Sequence, residues 1–379
     1  MIQRFKKITL IQMLGMFPAV VMVGPRQCGK TTLSKTLSKQ YYDLELESDR
    51  LRLDLEWERA VKGSELIILD EAQCFPEIFP RVRSAIDSNR GTYGRFLMLG
   101  SVAPSLMREV SESLVGRAAL VEMGPLSLLE LAEDKLDELW RFGGFPEGGV
   151  LDEARYPIWQ ESYVSLMTQR DLPNLGLPSK PMVTERLLKM IAAVHAQEWN
   201  ASKIGASLGI NYQTVNSYLG YLHGAFVTRA LTPFETNLKK RLVKHPKLYI
   251  RDAGLLHALL GLGRRQDLLS QPWVGASWEG FVIEQILANL DARDGVPTPH
   301  FIRAGEAEID LVIRYRGELW AFEIKLTTEP TRDHIKHLRT LGAALGATRR
   351  ILVYRGQAHQ RGDDCEVMSL PDVLQAVAG

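Results

Sequence analysis

The fold is decided by a short stretch near the start of the chain, residues 19–31, which reads AVVMVGPRQCGKT. Its first five residues are apolar and predict a strand buried on both faces, as in a parallel sheet. The loop that follows matches the spacing G-x-x-x-x-G-K-[ST], and residues 32–40 behind it predict a helix. A strand, a glycine-containing loop and a helix in this order are the setting in which a phosphate-binding P-loop occurs.

This loop has the chemistry that a nucleoside triphosphate needs. Its glycines let backbone N–H groups wrap the phosphates, and the start of the helix adds positive partial charge. Lys30 is predicted to reach the β- and γ-phosphates, and the Thr31 hydroxyl to bind Mg²⁺. We therefore expect ATP, or a closely related nucleotide, together with Mg²⁺. The predicted nucleotide-binding residues are Gly24, Pro25, Arg26, Gln27, Cys28, Gly29, Lys30, Thr31 and Thr32.

Two further apolar strands supply candidates for nucleotide hydrolysis. The first, residues 66–69, is followed by Asp70, predicted to hold the Mg²⁺ water shell, and by Glu71, predicted to polarise the attacking water. The second precedes Ser101, which either senses the γ-phosphate or positions the water, or else is a turn serine. Arg117 either reaches a neighbouring subunit's ATP and stabilises transition-state charge there, or is a surface arginine.

Composition restricts the remaining possibilities. The 379 residues are enough for two to three domains. Because Lys and Arg number 46 and Asp and Glu 45, the net charge says nothing about partners. The three cysteines are far apart and form no disulfide framework, which fits a reducing cytosol. No stretch reaches 18 apolar residues and no signal peptide is recognisable, so we expect a cytoplasmic protein without a membrane span.

A helix-turn-helix is predicted at residues 201–219. Ala206 is predicted to lie where the two helices cross, and Gly209 to make the turn. The apolar, β-leaning residues 225–231 that follow would form a wing. The predicted shared core consists of Ile204, Leu208, Ile210, Val215 and Leu219.

DNA is the predicted partner of this module. The second helix would expose Asn211, Gln213, Thr214 and Ser217 near its start, where such helices meet base edges. Residues 238–251 contain no acid and form a predicted phosphate-contacting stretch. Because the second helix carries no Arg or Lys, contact with a protein remains an alternative. The basic residues of the stretch are Lys239, Lys240, Arg241, Lys244, Lys247 and Arg251.

A second constellation, D-x(12)-E-x-K, lies near the C-terminus at Asp310, Glu323 and Lys325. Two predicted strands joined at Gly317 carry it, and strand alternation puts the glutamate and the lysine on one face. The two carboxylates are predicted to bind Mg²⁺ while the lysine orients or activates a water. Glu279, on the preceding predicted helix, is a candidate fourth member. The alternatives are a charged hairpin on a solvated surface and a nuclease-like fold that has lost cleavage.

The order of these motifs resembles a family of bacterial and archaeal AAA+-type ATPases. Members carry a C-terminal domain of unassigned function with a restriction-endonuclease-like core. Ile309 stands where that core's formal motif has proline, so the Pro-Asp pair is absent. The motifs that carry the resemblance are the P-loop, LDEAQ at 69–73, LGS at 99–101, GR at 116–117, GGFPE at 143–147, RDL at 170–172 and YIRDAGL at 249–255.

The resemblance and the residues together predict an α/β chain with four parts. These are an AAA+-type P-loop core with a parallel sheet (1–125), a helical lid (126–195), a winged helix with a basic connector (196–251) and a restriction-endonuclease-like domain (252–379). We expect a homo-oligomer, with a ring as one form, that hydrolyses ATP and remodels or processes DNA. The more specific form of this prediction is metal-dependent cleavage of phosphodiester bonds. The alternatives are a nucleotide switch acting on a protein, and a DNA translocase or branch-migration motor with an inert nuclease-like domain.

Overall fold

The computed structural model describes residues 2–100, 112–178, 180–235, 245–290 and 297–378. The chain forms two compact units. The first unit comprises Met1–Leu126, Asp171–Leu177 and Gly224–Phe226. The second unit comprises Ser127–Arg170, Pro178–His223 and Val227–Gly379.

The first unit contains a five-stranded sheet in which every pairing is parallel, in the order β2-β3-β4-β1-β5. The parallel sheet predicted from the apolar runs is therefore confirmed. Alternate residues of β1 enter different cores, because Val21 packs on one face of the sheet and Val20 on the other. The strands are β1 Ala19–Val23, β2 Tyr41–Asp43, β3 Ile67–Asp70, β4 Phe96–Gly100 and β5 Ala118–Glu122.

Helices flank this sheet, and the one behind the glycine loop is shorter than predicted. It ends at Ser34 instead of residue 40, and the Ser34 and Thr36 hydroxyls donate to the carbonyls of Thr31 and Leu33. Such local bonds compete with continued helix. The helices are α1 Lys6–Leu14, α2 Lys30–Ser34, α3 Glu47–Lys62 and α4 Ile78–Asp87, and one helical turn, Leu172–Asn174, belongs to the same unit.

The second unit is built on a nine-stranded mixed sheet in the order β13-β14-β12-β11-β10-β9-β7-β8-β6. Strands β10 and β11 form an antiparallel hairpin, and β11 also pairs in parallel with β12. Arg316 and Gly317 turn the hairpin with φ of 53° and 74°, as a two-residue turn with left-handed residues requires. The strands are β6 Gln197–Glu198, β7 Thr228–Pro233, β8 Lys247–Ile250, β9 His300–Ala304, β10 Ala307–Tyr315, β11 Glu318–Lys325, β12 Arg349–Tyr354, β13 Gln360–Arg361 and β14 Glu366–Ser369.

The helices of the second unit lie before, between and after these strands. Among the described residues, no helix combines the length and the apolar character that crossing a bilayer would require. The helices are α5 Leu136–Phe142, α6 Ile158–Leu166, α7 Pro181–Ala193, α8 Ala201–Leu208, α9 Tyr212–Gly224, α10 Ala253–Leu259, α11 Val274–Asn289 and α12 Leu370–Ala378.

Helices α8 and α9 occupy the predicted helix-turn-helix, with Gly209 at the turn (φ 69°). The residue at the helix crossing is Gly205 and not Ala206, which is exposed. A Cβ on Gly205 would lie 2.6 Å from the Ile210 carbonyl oxygen. The prediction was wrong by one position, because the close approach requires a residue without a side chain. Val215 is fully buried between the helices.

Candidate functional site

The glycine loop joins β1 to α2 at the carboxyl edge of the parallel sheet. Gly29 has φ 98° and caps α2, a backbone conformation that side chains rarely adopt. A Cβ on Gly24 would lie 2.0 Å from the Met123 carbonyl oxygen. Both glycines are therefore required by the path of the backbone. The Cys28 thiol is buried and donates to the same carbonyl at 3.3 Å.

Lys30 lies over this loop with a buried side chain. Its ammonium group donates to the carbonyl oxygens of Gly24 at 2.8 Å and Pro25 at 2.9 Å. Buried Arg4 donates to the Cys28 carbonyl of the same loop. No motif points to Arg4, and the sequence did not predict it.

Thr31 and Asp70 meet at the end of β3. The Thr31 hydroxyl donates to Asp70 Oδ2 at 2.7 Å, and the Tyr41 hydroxyl donates to the same oxygen at 2.7 Å. Burial, followed by the hydrogen bond to Asp70, raises the Tyr41 pKa far above its ordinary value. A threonine hydroxyl beside a carboxylate is a pair of hard oxygen donors, which fits Mg²⁺. The sequence predicted Thr31 and Asp70 and missed Tyr41.

Glu71 follows Asp70 with a left-handed backbone conformation, φ 50° and ψ 44°. The Gln73 amide donates to its carboxylate. Burial raises the Glu71 pKa above its ordinary value. Ser101, the other predicted residue at this edge, lies outside the described residues.

Three more predicted residues have observed positions in the first unit. Arg26 forms an ion pair with Asp171 at 2.8 Å, and Thr32 is exposed. Arg117 binds both carboxylate oxygens of Asp87 within its own chain, at 2.9 and 3.0 Å. This pairing favours the surface-arginine alternative, and action on a neighbouring subunit stays a prediction.

The second unit brings the predicted C-terminal residues into one cluster, the carboxylate cluster. Lys325 Nζ lies 2.6 Å from Glu323 Oε1 on β11, and Asp310 Oδ2 on β10 accepts from the Ile324 amide at 2.8 Å. Glu279 on α11 accepts from the Tyr249 hydroxyl at 2.6 Å. These residues come from three separate parts of the chain, which are β8, α11 and the hairpin of β10 and β11.

Lys247 on β8 belongs to the same cluster, which corrects its predicted role. Its ammonium group lies 3.1 Å from Glu279 Oε1, 4.0 Å from Asp310 Oδ1 and in contact with Glu308. With 5% of its surface exposed, it is not available to contact phosphates. Arg251 is likewise turned inward, onto Glu284 at 2.9 Å. The basic residues at 239, 240, 241 and 244 lie outside the described residues.

The electrostatics of the cluster follow from burial. Burial, followed by the charge of Asp310, raises the pKa of both Glu279 and Glu323. Although burial opposes the charged lysine, the three carboxylates keep the Lys247 pKa above its ordinary value. Glu323 Oε2 is buried and has no hydrogen-bond partner among the residues described.

The fit to a metal ion is therefore partial. The oxygen donors and the unpartnered Glu323 Oε2 suit a hard cation. Within the described ranges, however, no three His, Cys, Asp or Glu side chains are arranged to hold a metal.

Three family models match the chain. An AAA domain matches residues 16–132, which cover the parallel sheet and the glycine loop. A domain of unknown function, DUF8612, matches residues 133–266, and another, DUF4143, matches residues 274–373. The first shows that the N-terminal part is an AAA-type ATPase domain, while the other two assign no activity.

Solved structures give weaker likenesses. The Walker-type ATPase PABY2304 of Pyrococcus abyssi is 16% identical with a TM-score of 0.47, over 69% of this chain and 96% of that chain. The Aeropyrum pernix ORC1 protein, solved in complex with DNA, is 12% identical with a TM-score of 0.29, over 67% and 91%. Scores this low support no inference about the chain.

Two mycobacterial relatives are much closer in sequence. They are the uncharacterized proteins Mb2031c of Mycobacterium bovis and Rv2008c of Mycobacterium tuberculosis. Each is 37% identical over 346 residues, which cover 90% of this chain and 77% of the relative. With the AAA domain at residues 16–132, this similarity shows that the chain belongs to the P-loop ATPase family that includes these two proteins.

Proposed function

We propose that this protein hydrolyses ATP in a Mg²⁺-dependent reaction at the P-loop of its first unit. The observation that carries the proposal is the 2.7 Å hydrogen bond between the Thr31 hydroxyl and the Asp70 carboxylate. It places the two Mg²⁺ candidates together, beside the loop that Lys30 spans.

Each residue has a distinct task in this reaction. Lys30 faces the β- and γ-phosphates and offsets their charge, and Thr31 and Asp70 would hold the metal. A bound Mg²⁺ supplies further charge neutralisation at the phosphates. Glu71 polarises the attacking water, and the hydrogen bond from Gln73 to this half-buried residue limits where its carboxylate can go.

The test compares phosphate release with Mg²⁺ and with EDTA, in wild type, Glu71→Gln and Glu65→Gln. Glu65 also accepts from a glutamine amide, Gln40, and so serves as a matched control. We expect phosphate release only with Mg²⁺. In Glu71→Gln the rate should fall at least about 100-fold while nucleotide binding is retained, and in Glu65→Gln the rate should equal that of wild type. Wild-type turnover in Glu71→Gln would remove Glu71 from the mechanism.

A second candidate function is DNA binding by α8 and α9. The supporting observation is that α9 buries Val215 and Leu219 and leaves Gln213 and Ser217 exposed. Asn211 caps the helix by accepting from the Thr214 amide at 2.7 Å. A helix start with exposed polar side chains is suited to base edges. The rival is a protein partner, since α9 carries no Arg or Lys.

Salt dependence and ATPase stimulation separate these partners. We expect duplex or branched DNA to stimulate ATP hydrolysis, and its affinity to fall with rising salt. Neutralising Lys239, Lys240 and Arg241 together should make the affinity less dependent on salt. Gln213→Ala should weaken DNA binding and leave its salt dependence unchanged. If neither DNA stimulates the ATPase and the slope is unchanged in the triple variant, a protein partner is favoured.

A third candidate, metal-dependent phosphodiester cleavage, is favoured by the carboxylate cluster. Its support is the buried Glu323 oxygen without a described partner, next to Asp310, Glu279 and Lys325. Asp310 and Glu323 would hold the metal, and Lys325 would orient a water. We expect Mn²⁺-dependent cleavage that is lost in Asp310→Ala and Lys325→Ala while ATP hydrolysis persists. Absence of cleavage on single-stranded, duplex and branched DNA would leave an inert docking domain.

A further inference from the structure

We infer that Gln73 is a positioning residue for ATP hydrolysis, whose amide holds the Glu71 carboxylate in its working orientation. The inference rests on the proposed function, because it assigns Gln73 a role through the general base. Gln73 lies in the short 3₁₀ turn Ala72–Cys74, directly after β3. Its side-chain N–H donates to Glu71 Oε2.

The backbone of Glu71 has an unusual conformation at the start of this turn. A non-glycine residue in the left-handed region costs roughly 1–2 kcal/mol, so the surroundings must hold it there. The Glu71 amide donates to Asp70 Oδ1 at 2.9 Å, which fixes the start of the turn. That bond leaves the glutamate side chain free to rotate. The hydrogen bond from Gln73 restricts it.

The direction of the Gln73 amide follows from its hydrogen bond to Glu71. Because a carboxylate accepts only, the N–H₂ end must face Glu71, and this fixes the direction of Oε1. Oε1 is buried, and no described residue donates to it. A buried acceptor left without a donor costs about 1–3 kcal/mol.

A second glutamine–glutamate pair lies at the opposite edge of the parallel sheet and serves as a comparison. Gln40 donates to Glu65 Oε2 at 3.0 Å, and Gln40 Oε1 also lacks a partner within the described ranges. These residues precede β2 and β3, and so lie at the amino edge of the parallel sheet. Gln73 and Glu71 follow β3 and lie at the carboxyl edge, next to Asp70. The two pairs have the same chemistry, and only one adjoins the nucleotide site.

The expected consequence is a defect in turnover rather than in binding. Gln73 donates to Glu71, and among the described residues no hydrogen bond joins its side chain to a predicted phosphate ligand. Misplacing a catalytic group by about 1 Å can cost about 100-fold in rate. Gln73→Ala should therefore lower kcat about 10- to 100-fold, while KM for ATP changes less than about threefold.

The experiment measures kcat and KM for Gln73→Ala, Gln40→Ala and Glu71→Gln, and for Gln73→Ala in the Glu71→Gln background. We expect Gln40→Ala to match wild type, and Gln73→Ala to have no further effect once Glu71 is replaced, since residues that act as a unit are not additive. Binding of a fluorescent ATP analogue verifies that each variant keeps a folded site.

Two results would overturn the inference. One is a wild-type kcat in Gln73→Ala. The other is an equal fold loss from Gln73→Ala in both backgrounds, which would show action independent of Glu71. Failure of the proposed function is distinguishable, because Glu71→Gln would then turn over at the wild-type rate. An inactive Glu71→Gln with a fully active Gln73→Ala would overturn this inference alone.

Discussion

The P-loop site and the carboxylate cluster both gather charged side chains at a sheet, but they compensate those charges differently. In the first unit, Lys30 donates to neutral carbonyls and Asp70 accepts from the neutral hydroxyls of Thr31 and Tyr41. In the second unit, Lys247 faces three carboxylates, including Glu279. The first arrangement leaves charges for an incoming ligand, whereas the second neutralises its charges internally.

The comparison indicates whether a substitution at each site should reduce stability or activity. Removing one partner from a buried ion-pair network leaves uncompensated charge and destabilises the fold. Removing a charge that faces a ligand costs activity while the fold persists. Substitutions should therefore affect turnover in the first unit and stability in the second.

The largest expected effect is the loss of ATP turnover in Lys30→Ala. Because it removes the charge that faces the phosphates, we expect at least a 1,000-fold fall, of the order seen when a cation leaves a phosphoryl-transfer site. The unfolding free energy should change little. Phosphate release and urea denaturation measure the two quantities. Exposed Lys39 provides the control variant, Lys39→Ala, and wild-type turnover in Lys30→Ala would refute the P-loop assignment.

Next in size is the loss of stability in Lys247→Met. It removes the cation that Glu279, Glu308 and Asp310 share, so the unfolding free energy should fall by about 3–5 kcal/mol. Urea denaturation followed by tryptophan fluorescence measures it. Exposed Lys203 gives the matched control, Lys203→Met, with a change within about 0.5 kcal/mol. Unchanged stability in Lys247→Met would mean that the cluster does not depend on this ion pairing.

A smaller effect is the dependence of stability on pH, to which histidines contribute in the second unit only. The first unit contains no histidine. In the second unit, burial lowers the pKa of His195 to about 3 and of His257 to about 4. The folded state therefore favours neutral imidazole, and below about pH 6.5 the unfolded chain binds more protons. The stability that these two histidines contribute is fully present above pH 6.5 and is lost as the pH falls from 6.5 towards about 3.

The variant His257→Gln isolates this contribution from the carboxylates. A difference of 6.5 against about 4 corresponds to roughly 3 kcal/mol for His257. The drop in unfolding free energy from pH 7 to pH 4 should therefore be smaller by about that amount in His257→Gln. Denaturation at both pH values measures it. An identical drop in the variant and wild type would mean that His257 is not buried in its neutral form.

The smallest expected effect tests the helix crossing. Gly205→Ala places a Cβ against the Ile210 carbonyl, at 2.6 Å, and should cost about 1–3 kcal/mol of stability. Ala206→Ser, on the adjacent exposed residue, should stay within about 0.5 kcal/mol. Thermal denaturation of both variants checks the order. A larger loss in Ala206→Ser would restore the crossing predicted from sequence.

Much of the nucleotide site was predictable because its parts are local in sequence. Lys30 and Thr31 lie in one contiguous motif, and Asp70 and Glu71 directly follow an apolar strand. The carboxyl ends of parallel strands share one edge of a sheet, so strand order brings these groups together. The 2.7 Å bond between Thr31 and Asp70 joins residues 39 positions apart in this way.

The sequence by itself thus determined the P-loop, the parallel sheet and the alternation that puts Glu323 beside Lys325. Only the tertiary structure decided what surrounds them. Lys247 looked like one cation in a basic stretch, but the pairing of β8 in the second sheet turns it onto Glu279. No local pattern encodes such contacts, because they depend on which strands pair across long sequence separations. They also depend on the register of that pairing, since a shift of one residue moves every side chain of the strand to the other face of the sheet.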